Sequence, residues 1–592
     1  MATSSNWWMF HGDAAHTGEA AGSPIDATNV ANLKLLYSIN VNGSILSTPA
    51  VVDGYVYVGL ANSLEAAAQT GGQFLKVDLA SGQTVAQFTW DINPIDRDSH
   101  GFCGMGCTPA VANGKVYFSA FDGKVYCLNQ SDLTLAWRTD LRYADMAHNQ
   151  PVTNDFPNGD AWTPANPALQ TSSAPKASGW SSPLVVNDKI YVGIGEGENP
   201  YLYGFVYCLD ANSGDVVWIY CTCQFQVNVN NLPNQLPAET ILQELPPMFT
   251  TVDTQPVAKG ASVWSGIAYD PDSDLLYAAT GNPNPDGPLP TAGYSNSVLI
   301  LNATTGAFQG VIQIPAGTFN GVQIVSPPNA PYGSYRPSDT DVDIGGAPTI
   351  WKINEKTVVG IGCKNGCYMV FDPTQINAPN YTPTTYQLLP TMNDGSQIST
   401  VDPHFTDGPS NPQPVVSNQV SNQVNAENYH GTYSTAALCT PQQKLFIGVG
   451  GNNYHYVASG IDSATTPFIR ALDWNTLKDA WPLDGGDPQR YKAASDPNNP
   501  LYKNSGESGI SVPAVVNDVV FMSTTLVALY AFKADDGTLL WSDTENFGSQ
   551  TGGMSGGYGY CMGPAISGNY VVAGALVLGG NGGVLNIYAL PS

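Results

Sequence analysis

One stretch of the chain, Ser262 to Pro285, combines two side chains that could bind a ligand. It reads SVWSGIAYDPDSDLLYAATGNPNP and places the indole of Trp264 and the amide of Asn282 18 residues apart. An indole offers a large aromatic face and an amide offers hydrogen-bond donors. The pair therefore predicts one ligand pocket; the alternative is that Trp264 packs within a sheet and Asn282 serves a turn.

The elements around these two residues are predicted to be strands and tight turns. Trp264 precedes one strand, Asp270–Pro271 forms a turn, Leu275–Ala279 forms a second strand, and Gly281–Pro283 ends it. Trp264 and Asn282 then lie at the same end of neighbouring strands, where loops gather around a propeller axis. The stretch is therefore interpreted as one blade of a β-propeller.

The same phrase of two short strands around a tight turn returns along the chain. Its first full copy is Ser44–Leu60, with a small residue and Pro, an apolar strand, an Asp-Gly turn and a second strand. The predicted blades cover 45–92, 103–140, 179–222, 262–315, 342–391, 429–484, 506–545 and 556–590. We therefore predict an all-β protein, an eight-bladed β-propeller of four-stranded antiparallel blades whose ring is closed by the N-terminal strand.

Several predicted blades end in a strand, a turn rich in Asp, Asn and Gly, and a tryptophan. These phrases end at Trp137, Trp218, Trp481 and Trp541. Burying one tryptophan removes about 150–250 Å² of surface from water. The four indoles are therefore predicted to hold each outer strand against the next blade.

The 592 residues are predicted to form one propeller domain, because closed all-β architectures often exceed the usual domain length. Segments without periodicity, rich in Pro, Asn, Gln and Thr, interrupt the repeats at 141–178, 223–261 and 392–428. Inserts of this length cover a face of the ring or build an interface. A homodimer is one of the arrangements that they allow.

Charge is sparse and acidic: 12% of residues are charged, with 21 basic against 48 acidic side chains. No basic patch indicates nucleic acid, and no apolar stretch is long enough to predict a membrane span. Near about pH 2 most carboxylates would be neutral, so this composition favours an extracytoplasmic protein of an acidic habitat. The alternative is an acidic secreted protein of neutral surroundings. Met1–Ser5 is interpreted as an initiator before a mature periplasmic or secreted sequence whose signal peptide is absent.

The ten cysteines form no regular framework. Cys127 and Cys208 occupy the same place in two repeats and are predicted to be core thiols. Cys103 and Cys107 lie close together in CGMGCTPAV, where a disulfide, two buried thiols or transient sulfur exchange are open alternatives. No cysteine or histidine spacing indicates zinc or c-type haem.

The hairpin Lys364-Asn365-Gly366-Cys367 favours a type I′ turn, because Asn-Gly accepts its left-handed backbone. Lys364 and Cys367 then share one face, and Cys363 points to the other. Two thiols are therefore favoured over a Cys363–Cys367 disulfide, and Cys367 is a further candidate for handling sulfur.

Trp264, Tyr269-Asp270-Pro271 and Gly281-Asn282-Pro283 resemble a motif of quinoprotein alcohol dehydrogenases, which bind pyrroloquinoline quinone (PQQ). The resemblance implies that Trp264 lies beneath the quinone and that Asn282 ligates calcium. By the same resemblance Glu198 is a second calcium ligand, Asp343 is the catalytic residue and Lys364 lies beside the quinone carbonyls. Glu198, Asn282 and Asp343 could together hold Ca²⁺, while Asp343 acts as a general base.

The chain departs from the quinoprotein pattern where that family anchors the quinone. Cys103 and Cys107 are separated where the family has adjacent cysteines, and no Arg follows. Trp180 and Gly195 stand where the family has two small hydroxyl residues. Losing partners of about 1.5–3 kcal/mol each would weaken cofactor binding by several orders of magnitude. We therefore expect a quinone-like pocket that is used without a cofactor or a metal.

The repeat array and the composition also resemble the tetrathionate hydrolases of acidophilic sulfur oxidisers, which are PQQ-type propellers that work without the quinone. The resemblance implies a polythionate hydrolase acting on tetrathionate, or on trithionate, at acid pH. Asp343 would activate water in the axial pocket. Lys364, Arg336 and Asn282 would bind the anionic ends of this small sulfur substrate, with Glu198 and the face of Trp264 completing the pocket.

Two other functions stay open from the sequence. A PQQ- and calcium-dependent alcohol dehydrogenase would carry a quinone that an acid extract reveals. A non-enzymatic scaffold of the outer-membrane assembly type would leave Trp264, Asn282, Asp343 and Lys364 dispersed rather than gathered on one cavity.

Overall fold

The blades are seen in a computed structural model of the chain. It describes residues 6–63, 71–92, 102–141, 178–195, 204–222, 225–227, 261–281, 295–313, 318–319, 322–323, 344–363, 367–377, 383–387, 434–449, 468–485, 491–496, 498–501, 511–524, 528–544, 563–577 and 582–591. Nearly all regular structure in these residues is strand. The 3-10 helices described are short and lie at Val30–Asn32, Thr440–Gln442 and Lys492–Ser495.

The first four blades are antiparallel sheets whose strands follow one another in chain order from the inside outwards. Their strands are Ala50–Val52, Tyr55–Ser63, Gly72–Asp78 and Thr84–Trp90 in blade one; Ala110–Ala112, Lys115–Ser119, Lys124–Asn129 and Leu135–Asp140 in blade two; Leu184–Val186, Lys189–Ile194, Phe205–Asp210, Val216–Cys221 and Phe225–Val227 in blade three; and Ile267–Asp270, Leu275–Ala279, Ser297–Asn302 and Phe308–Gln313 in blade four. A further short strand, Phe102–Gly104, pairs with Tyr55–Ser63.

The other four blades repeat this order. Their strands are Thr349–Ile353, Lys356–Gly362, Cys367–Phe371 and Thr384–Gln387 in blade five; Ala437–Cys439, Lys444–Gly448 and Ile469–Asp473 in blade six; Ala514–Val516, Val519–Ser523, Leu529–Lys533 and Leu539–Asp543 in blade seven; and Ala565–Ser567, Tyr570–Val577, Gly582–Ala589 and Lys34–Val41 in blade eight. Thr318–Phe319 and Val322–Gln323 form a separate pair. The predicted eight-bladed all-β propeller is confirmed.

Blades three, six and seven differ from four strands. In blade seven, Glu19–Ala20 pairs parallel with Ala514–Val516 as a fifth strand. Blade three has a fifth strand, Phe225–Val227, which lies in the segment 223–261 that the sequence pattern predicted to be an insert without periodicity. Among the described residues, blade six has three strands in its sheet.

The inner hairpins fold as the turn residues dictate. Asp53 and Gly54 have φ of 53° and 81°, and Asn113 and Gly114 have φ of 52° and 73°. Asp, Asn and Gly accept this left-handed backbone at the lowest cost, and two such residues match the right-handed twist of the paired strands. The turn chemistry thus sets the register of each inner strand on the next one.

The tryptophans at the blade ends join neighbouring blades, as predicted. The indole of Trp137 in blade two donates to the carbonyl of Ala211 in blade three at 3.2 Å and lies against Gly214, where a Cβ would be 2.5 Å from the ring. Trp218 donates to Ala303 at 3.0 Å in the same way. The same bond recurs from Trp481 to Ala534 and from Trp541 to Leu33.

Blade one lacks this tryptophan, and a lysine takes over its bond. Lys76 pairs with Ala86 in blade one as Cys127 pairs with Trp137 in blade two, so Ala86 takes the position of the tryptophan. The ammonium of Lys76 donates to the carbonyls of Gln130 at 2.9 Å and Ser131 at 3.1 Å in the next blade. It also lies 4.2 Å from the ring centroid of Tyr55.

The predicted ring closure by the N-terminal strand is confirmed. Lys34–Val41 pairs antiparallel with Gly582–Ala589 and becomes the outer strand of blade eight. Its Tyr37 takes the tryptophan position, since its hydroxyl donates to the Ala80 carbonyl of blade one at 2.6 Å and its ring lies against Gly82.

Residues 7–18, the N-terminal belt, run around the hairpin ends of the inner strands. One backbone N–H from each of six blades donates to this belt. The donors and their acceptor carbonyls are Val51 and Trp7, Val111 and Trp8, Tyr269 and Ala14, Ile350 and Ala15, Leu438 and Thr17, and Val515 and Gly18. His11 and His16 are buried within the belt, where their ring nitrogens lie 2.7–2.9 Å from backbone carbonyls.

Candidate active site

Trp264 stands at the entry to the inner strand of blade four and is half-buried. Two residues before it, the Ser262 carbonyl accepts a hydrogen bond from the Gly281 N–H at 2.8 Å. The segment that carries Trp264 is therefore joined to the residue directly before Asn282, at the end of the neighbouring strand.

Most of the other predicted site residues lie outside the described residues. They are Glu198, Asn282, Arg336, Asp343 and Lys364, together with the side chain of Cys367. Their roles stay predictions.

Described neighbours of these residues approach one another. Gly204, which follows Glu198 at the start of the next strand, lies so close to Ala261 that a Cβ would be 2.0 Å from the Ala261 carbonyl oxygen. The Gly346 N–H donates to the Gly362 carbonyl at 3.4 Å, which joins the segment after Asp343 to the one before Lys364.

Blades three and four enter their inner strands through the same four-residue motif, Ser-x-Trp-Ser. It comprises Ser178–Ser181 around Trp180, and Ser262–Ser265 around Trp264. The two motifs have the same register. Val185 and Tyr269 each lie four residues after the second serine of their motif, and each belongs to the last strand pair but one before the hairpin turn of its own blade. Sequence reasoning noticed Trp180 only as a lost hydroxyl, although the repeat was visible in the sequence.

The four hydroxyls of these motifs are buried without a hydrogen-bond partner among the residues that the structure describes. Ser178 and Ser181 are 0% exposed, Ser262 is 1% and Ser265 is 8%. A buried hydroxyl left unpaired costs about 1–3 kcal/mol. Ser47, at the Ser181 position of blade one, is buried and unpaired in the same way, beside Leu46 rather than a tryptophan.

The corresponding serine of blade seven shows what the position does elsewhere. Val515 pairs with Val520 in blade seven as Val185 pairs with Ile190 in blade three. Because each valine lies four residues after a serine, Ser511 corresponds to Ser181. The Ser511 hydroxyl donates to the Ser523 carbonyl at 2.6 Å. It holds the entry to the inner strand against the end of the next strand.

The indole of Trp180 leans towards blade two. Its ring centroid lies 4.7 Å from that of Phe121, with the planes tilted by 54°. A Cβ at Gly106 would be 2.9 Å from the Trp180 ring and 2.7 Å from the Phe121 ring. The missing side chain at Gly106 therefore gives the indole its place.

Cys107 also occupies the Ser181 position, in blade two. Its thiol donates to the Ser119 carbonyl at 3.2 Å and accepts from the Ser119 N–H at 3.3 Å. Burial raises the pKa of this thiol to about 11. Cys107 is thus a buried thiol outside any disulfide, and it bonds to the end of the next strand as Ser511 does. Cys103 is also buried and pairs with Asn62 in the neighbouring strand.

The prediction that Cys127 and Cys208 are core thiols is confirmed. Both are buried in the third strand of their blades, opposite Trp137 and Trp218. Burial is the main cause that raises the pKa of each to about 12.

Within the described ranges no three His, Cys, Asp or Glu side chains gather where they could hold a metal ion. Across the same ranges, no helix has the length and apolar character needed to cross a membrane.

The closed ring of eight sheets, with an aromatic and hydroxyl-lined entry at blades three and four, defines an eight-bladed propeller with a candidate ligand site at its inner rim. Family models and relatives support a likeness of the chain to PQQ-type, quinoprotein alcohol dehydrogenase-like β-propellers. Residues 160–314 match the family "Glucose/ethanol/alcohol dehydrogenase, beta-propeller domain", and residues 34–220 match "Outer membrane protein assembly factor BamB".

Similar proteins carry alcohol dehydrogenase names. The quinohemoprotein alcohol dehydrogenase ADH IIB of Pseudomonas putida is 23% identical over 90% of this chain and 69% of its own length. The dehydrogenase subunit of a quinone alcohol dehydrogenase from Komagataeibacter europaeus is 27% identical over 47% of this chain, which spans only 33% of that relative.

Solved structures agree on the fold. The quinohemoprotein alcohol dehydrogenase of Comamonas testosteroni has a TM-score of 0.60 at 16% identity, covering 99% of this chain and 80% of that one. A europium-containing methanol dehydrogenase has a TM-score of 0.60 at 15% identity, covering 99% of this chain and 98% of the other.

These similarities correct two predictions. Polythionate hydrolysis by Asp343 is wrong as the main function, because the relatives reported above are named as quinohemoprotein or quinone alcohol dehydrogenases. The expectation of no cofactor and no metal is wrong for the same reason. The error has a physical source: the separated cysteines and the missing Arg were taken to mean that the pocket is used without a quinone, although the other residues of the motif are present.

Proposed function

We propose that the chain is a PQQ- and metal-dependent dehydrogenase of alcohols. The proposal is supported by the likeness to quinoprotein alcohol dehydrogenases over most of the chain. The structural observation that carries it is the Gly281 to Ser262 hydrogen bond, which holds the residue before Asn282 two residues from Trp264.

The described residues fit a flat, polar cofactor. Trp264 offers an aromatic face at the entry to blade four and is half-buried, so that a planar ring can pack against it. In this proposal Glu198, Asn282 and Asp343 supply oxygen ligands for Ca²⁺ or a similar cation.

PQQ, when bound, supplies the capacity to accept two electrons from the carbon that bears the alcohol hydroxyl. The chain supplies positioning and proton handling. The carboxylate of Asp343 accepts the proton of the alcohol hydroxyl, and the ammonium of Lys364 places positive charge beside the cofactor carbonyls. The indole of Trp264 holds the cofactor plane in place.

One family match supports this proposal over a scaffold function. Glu198, Trp264 and Asn282 all fall within the match to the dehydrogenase family at 160–314. The match at 34–220, to an outer membrane protein assembly factor, covers the first three blades and ends before Trp264 and Asn282. An extracytoplasmic location remains part of the proposal.

The test is reconstitution followed by turnover. The protein incubated with PQQ and Ca²⁺, then freed of unbound quinone, is expected to retain quinone absorption and to reduce an artificial electron acceptor only when a primary alcohol is added. Asp343→Asn is expected to keep the bound quinone and to lose about 10²–10⁴-fold in kcat, since the proton acceptor is gone.

Asp132→Asn is the control, because Asp132 lies in the exposed outer turn of blade two and accepts hydrogen bonds from Thr134 of the same turn. It is expected to turn over like the wild type. Wild-type protein that holds no quinone after reconstitution would falsify the proposed function.

A further inference from the structure

The four residues Val-Val-Asn-Asp occur at two hairpins of the ring, at 185–188 in blade three and at 515–518 in blade seven. Each set closes the hairpin between the first and second strands of its blade, in the same register. The two asparagines, Asn187 and Asn517, have left-handed backbones with φ of 51° and 50°. These two sets, the blade-three tip and the blade-seven tip, can therefore bind the same kind of partner.

The blade-seven tip binds a segment of the chain itself, residues 23–27. The side-chain amide of Asn517 donates to the carbonyls of Ser23 at 3.0 Å and Ile25 at 2.6 Å. The carboxylate of Asp518 accepts from the backbone N–H of Ala27 at 2.8 Å. Ile25 is 0% exposed within an apolar cluster. The tip thus holds the backbone of the segment while one apolar side chain is buried.

The blade-three tip is less covered than its counterpart. The N-terminal belt accepts backbone hydrogen bonds from blade two at Trp8 and from blade four at Ala14, on either side of this tip. Beside the tip the described residues leave a cavity of about 600 Å³. Val186 lines the cavity and is half-buried, whereas the corresponding Val516 is fully buried, and Asp188 is exposed.

The cavity suits an apolar side chain with a positive charge nearby. Its lining is mainly apolar and includes Trp8, Ala15, Ala112, Val185, Val186 and Tyr269. Asp13 and Asp188 also line it, and none of the described lining residues is basic. Lys189 follows the tip, but its ammonium is held by Asp210 at 2.9 Å. Two carboxylates at one cavity favour a cationic partner.

The polar side chains of the blade-three tip keep capacity for a further partner. The amide of Asn187 donates to the hydroxyl of Tyr269 at 3.2 Å, and the carboxylate of Asp188 accepts from Asn113 at 3.3 Å. A side-chain amide has two N–H donors, and an ionised carboxylate accepts several hydrogen bonds. Each group can therefore bind a peptide group in addition to its neighbour.

We propose that the blade-three tip binds a peptide segment of a partner protein, as the blade-seven tip binds residues 23–27 of its own chain. Asn187 donates to backbone carbonyls of the segment, Asp188 accepts from one of its backbone N–H groups, and an apolar side chain enters the cavity. The carboxylates select a segment with a basic residue beside that side chain. This site lies at the other end of the inner strands from Trp264 and does not depend on the proposed function.

The probe is a fluorescently labelled nonapeptide, AGSPIKATN, which is residues 21–29 of the chain with Asp26→Lys. Titration with the full chain in the absence of PQQ, followed by fluorescence anisotropy, is expected to show saturable binding to one site. The unaltered peptide, AGSPIDATN, is expected to bind about three- to tenfold more weakly, because its aspartate meets two carboxylates.

Three variants locate the binding. Asn187→Asp removes the amide donor and is expected to raise Kd about tenfold. Ala112→Phe places a ring in the cavity and is expected to abolish saturable binding. Asn354→Asp is the matched control, because it makes the same change at a left-handed position of the blade-five hairpin, with φ of 49°. It is expected to leave Kd unchanged.

The blade-seven tip provides a measurement that separates binding from folding. Asn517→Asp breaks the hydrogen bonds to the carbonyls of Ser23 and Ile25, so it is expected to lower the thermal midpoint. Asn187→Asp loses the bond to Tyr269 and is expected to lower the midpoint less. The Kd of the peptide is expected to respond in the opposite order, rising for Asn187→Asp and not for Asn517→Asp.

Wild-type protein that binds neither peptide overturns this inference. Binding that survives Asn187→Asp and Ala112→Phe with unchanged circular dichroism also overturns it, because the peptide would then lie elsewhere. If Ala112→Phe does not fold, the comparison of Asn187→Asp with Asn354→Asp decides, and equal Kd values contradict the site. Equal affinities for the two peptides contradict the selection of a basic segment. Since no PQQ is present, none of these outcomes bears on the proposed function.

Discussion

At the scale of single residues, Lys76 shows how a side chain takes over a bond that the repeat has lost. Blade one carries Ala86 where blade two carries Trp137, and the ammonium of Lys76 reaches Gln130, which corresponds to the Trp137 acceptor Ala211. Burial lowers the pKa of this lysine from its ordinary value. The carbonyl acceptors stabilise the charge that burial would otherwise disfavour.

Replacing Lys76 by Met tests this bond. Met keeps the apolar stem and removes the donor, so the carbonyls of Gln130 and Ser131 lose their partner. We expect the free energy of unfolding to fall by about 1–3 kcal/mol, measured by urea denaturation. Lys34→Met is the control at an exposed site and is expected to change it by less than about 0.5 kcal/mol. Equal effects of the two substitutions would show that the bond contributes nothing.

Residue roles were predictable where the side chain sits in a motif and unpredictable where it depends on register. Trp264 and the docking tryptophans were recognised because each ends or begins a repeated phrase. Lys76 was not, since its place opposite Ala86 depends on the irregular pairing that follows Lys76 in its strand. Trp180 was noticed only for the hydroxyl that it replaces, and its repeat with Trp264 in the next blade was not used.

At the scale of elements, the blades are joined by an aromatic ring on a glycine. Gly214 has φ of +78°, and a Cβ there would be 2.5 Å from the ring of Trp137. Gly54 has φ of +81°, with nothing within 4 Å of an added Cβ. Both glycines relieve backbone strain, but only Gly214 also makes room for the neighbouring blade.

The comparison of Gly214→Ala with Gly54→Ala isolates that second role. In each variant the left-handed backbone of the alanine is expected to lower the free energy of unfolding by about 1 kcal/mol. Gly214→Ala is expected to cost about 1–3 kcal/mol more, because the methyl group displaces the indole. Thermal unfolding of both variants checks this. Similar midpoints for the two would mean that Trp137 can shift at no cost.

Element boundaries followed from turn chemistry, and departures from it were missed. Asp-Gly and Asn-Gly pairs marked the inner hairpins correctly, because their left-handed preference is local. The fifth strand of blade three, Phe225–Val227, was not predicted, because its pairing with Val216–Cys221 is decided by an exposed sheet edge and not by its own three residues. The predicted inserts 141–178 and 392–428 lie almost entirely outside the described residues.

At the scale of the whole molecule, the N-terminal belt ties six blades to one segment and buries two histidines. Burial, then the charge of His11, lowers the pKa of His16 to about 3, while the Pro348 carbonyl opposes that shift. Burial also lowers the pKa of His11, against the His16 and Pro513 carbonyls and the carboxylate of Asp13. Both rings are therefore neutral in the folded protein at pH 7.

This burial predicts acid destabilisation. The unfolded chain protonates His16 near pH 6.5, whereas the folded protein resists until about pH 3, so stability is complete above pH 6.5 and falls as the pH drops between these values. The slope is at most about 1.4 kcal/mol per pH unit for one histidine. Urea denaturation at pH 7, 5.5 and 4 measures how the free energy of unfolding depends on pH. His16→Gln is expected to make that dependence weaker. A protein equally stable at pH 7 and 4 would instead favour the acidic-habitat interpretation of its composition.

The belt also bears on how the polypeptide is made. His11 bonds to the carbonyl of Pro513, 502 positions further along. During synthesis on a ribosome, Pro513 emerges only after the first six blades have been made, so His11 cannot form this hydrogen bond until then. The hairpin side of the nascent ring therefore lacks this contact throughout most of translation, and the contact forms with the slow kinetics of a very distant pair.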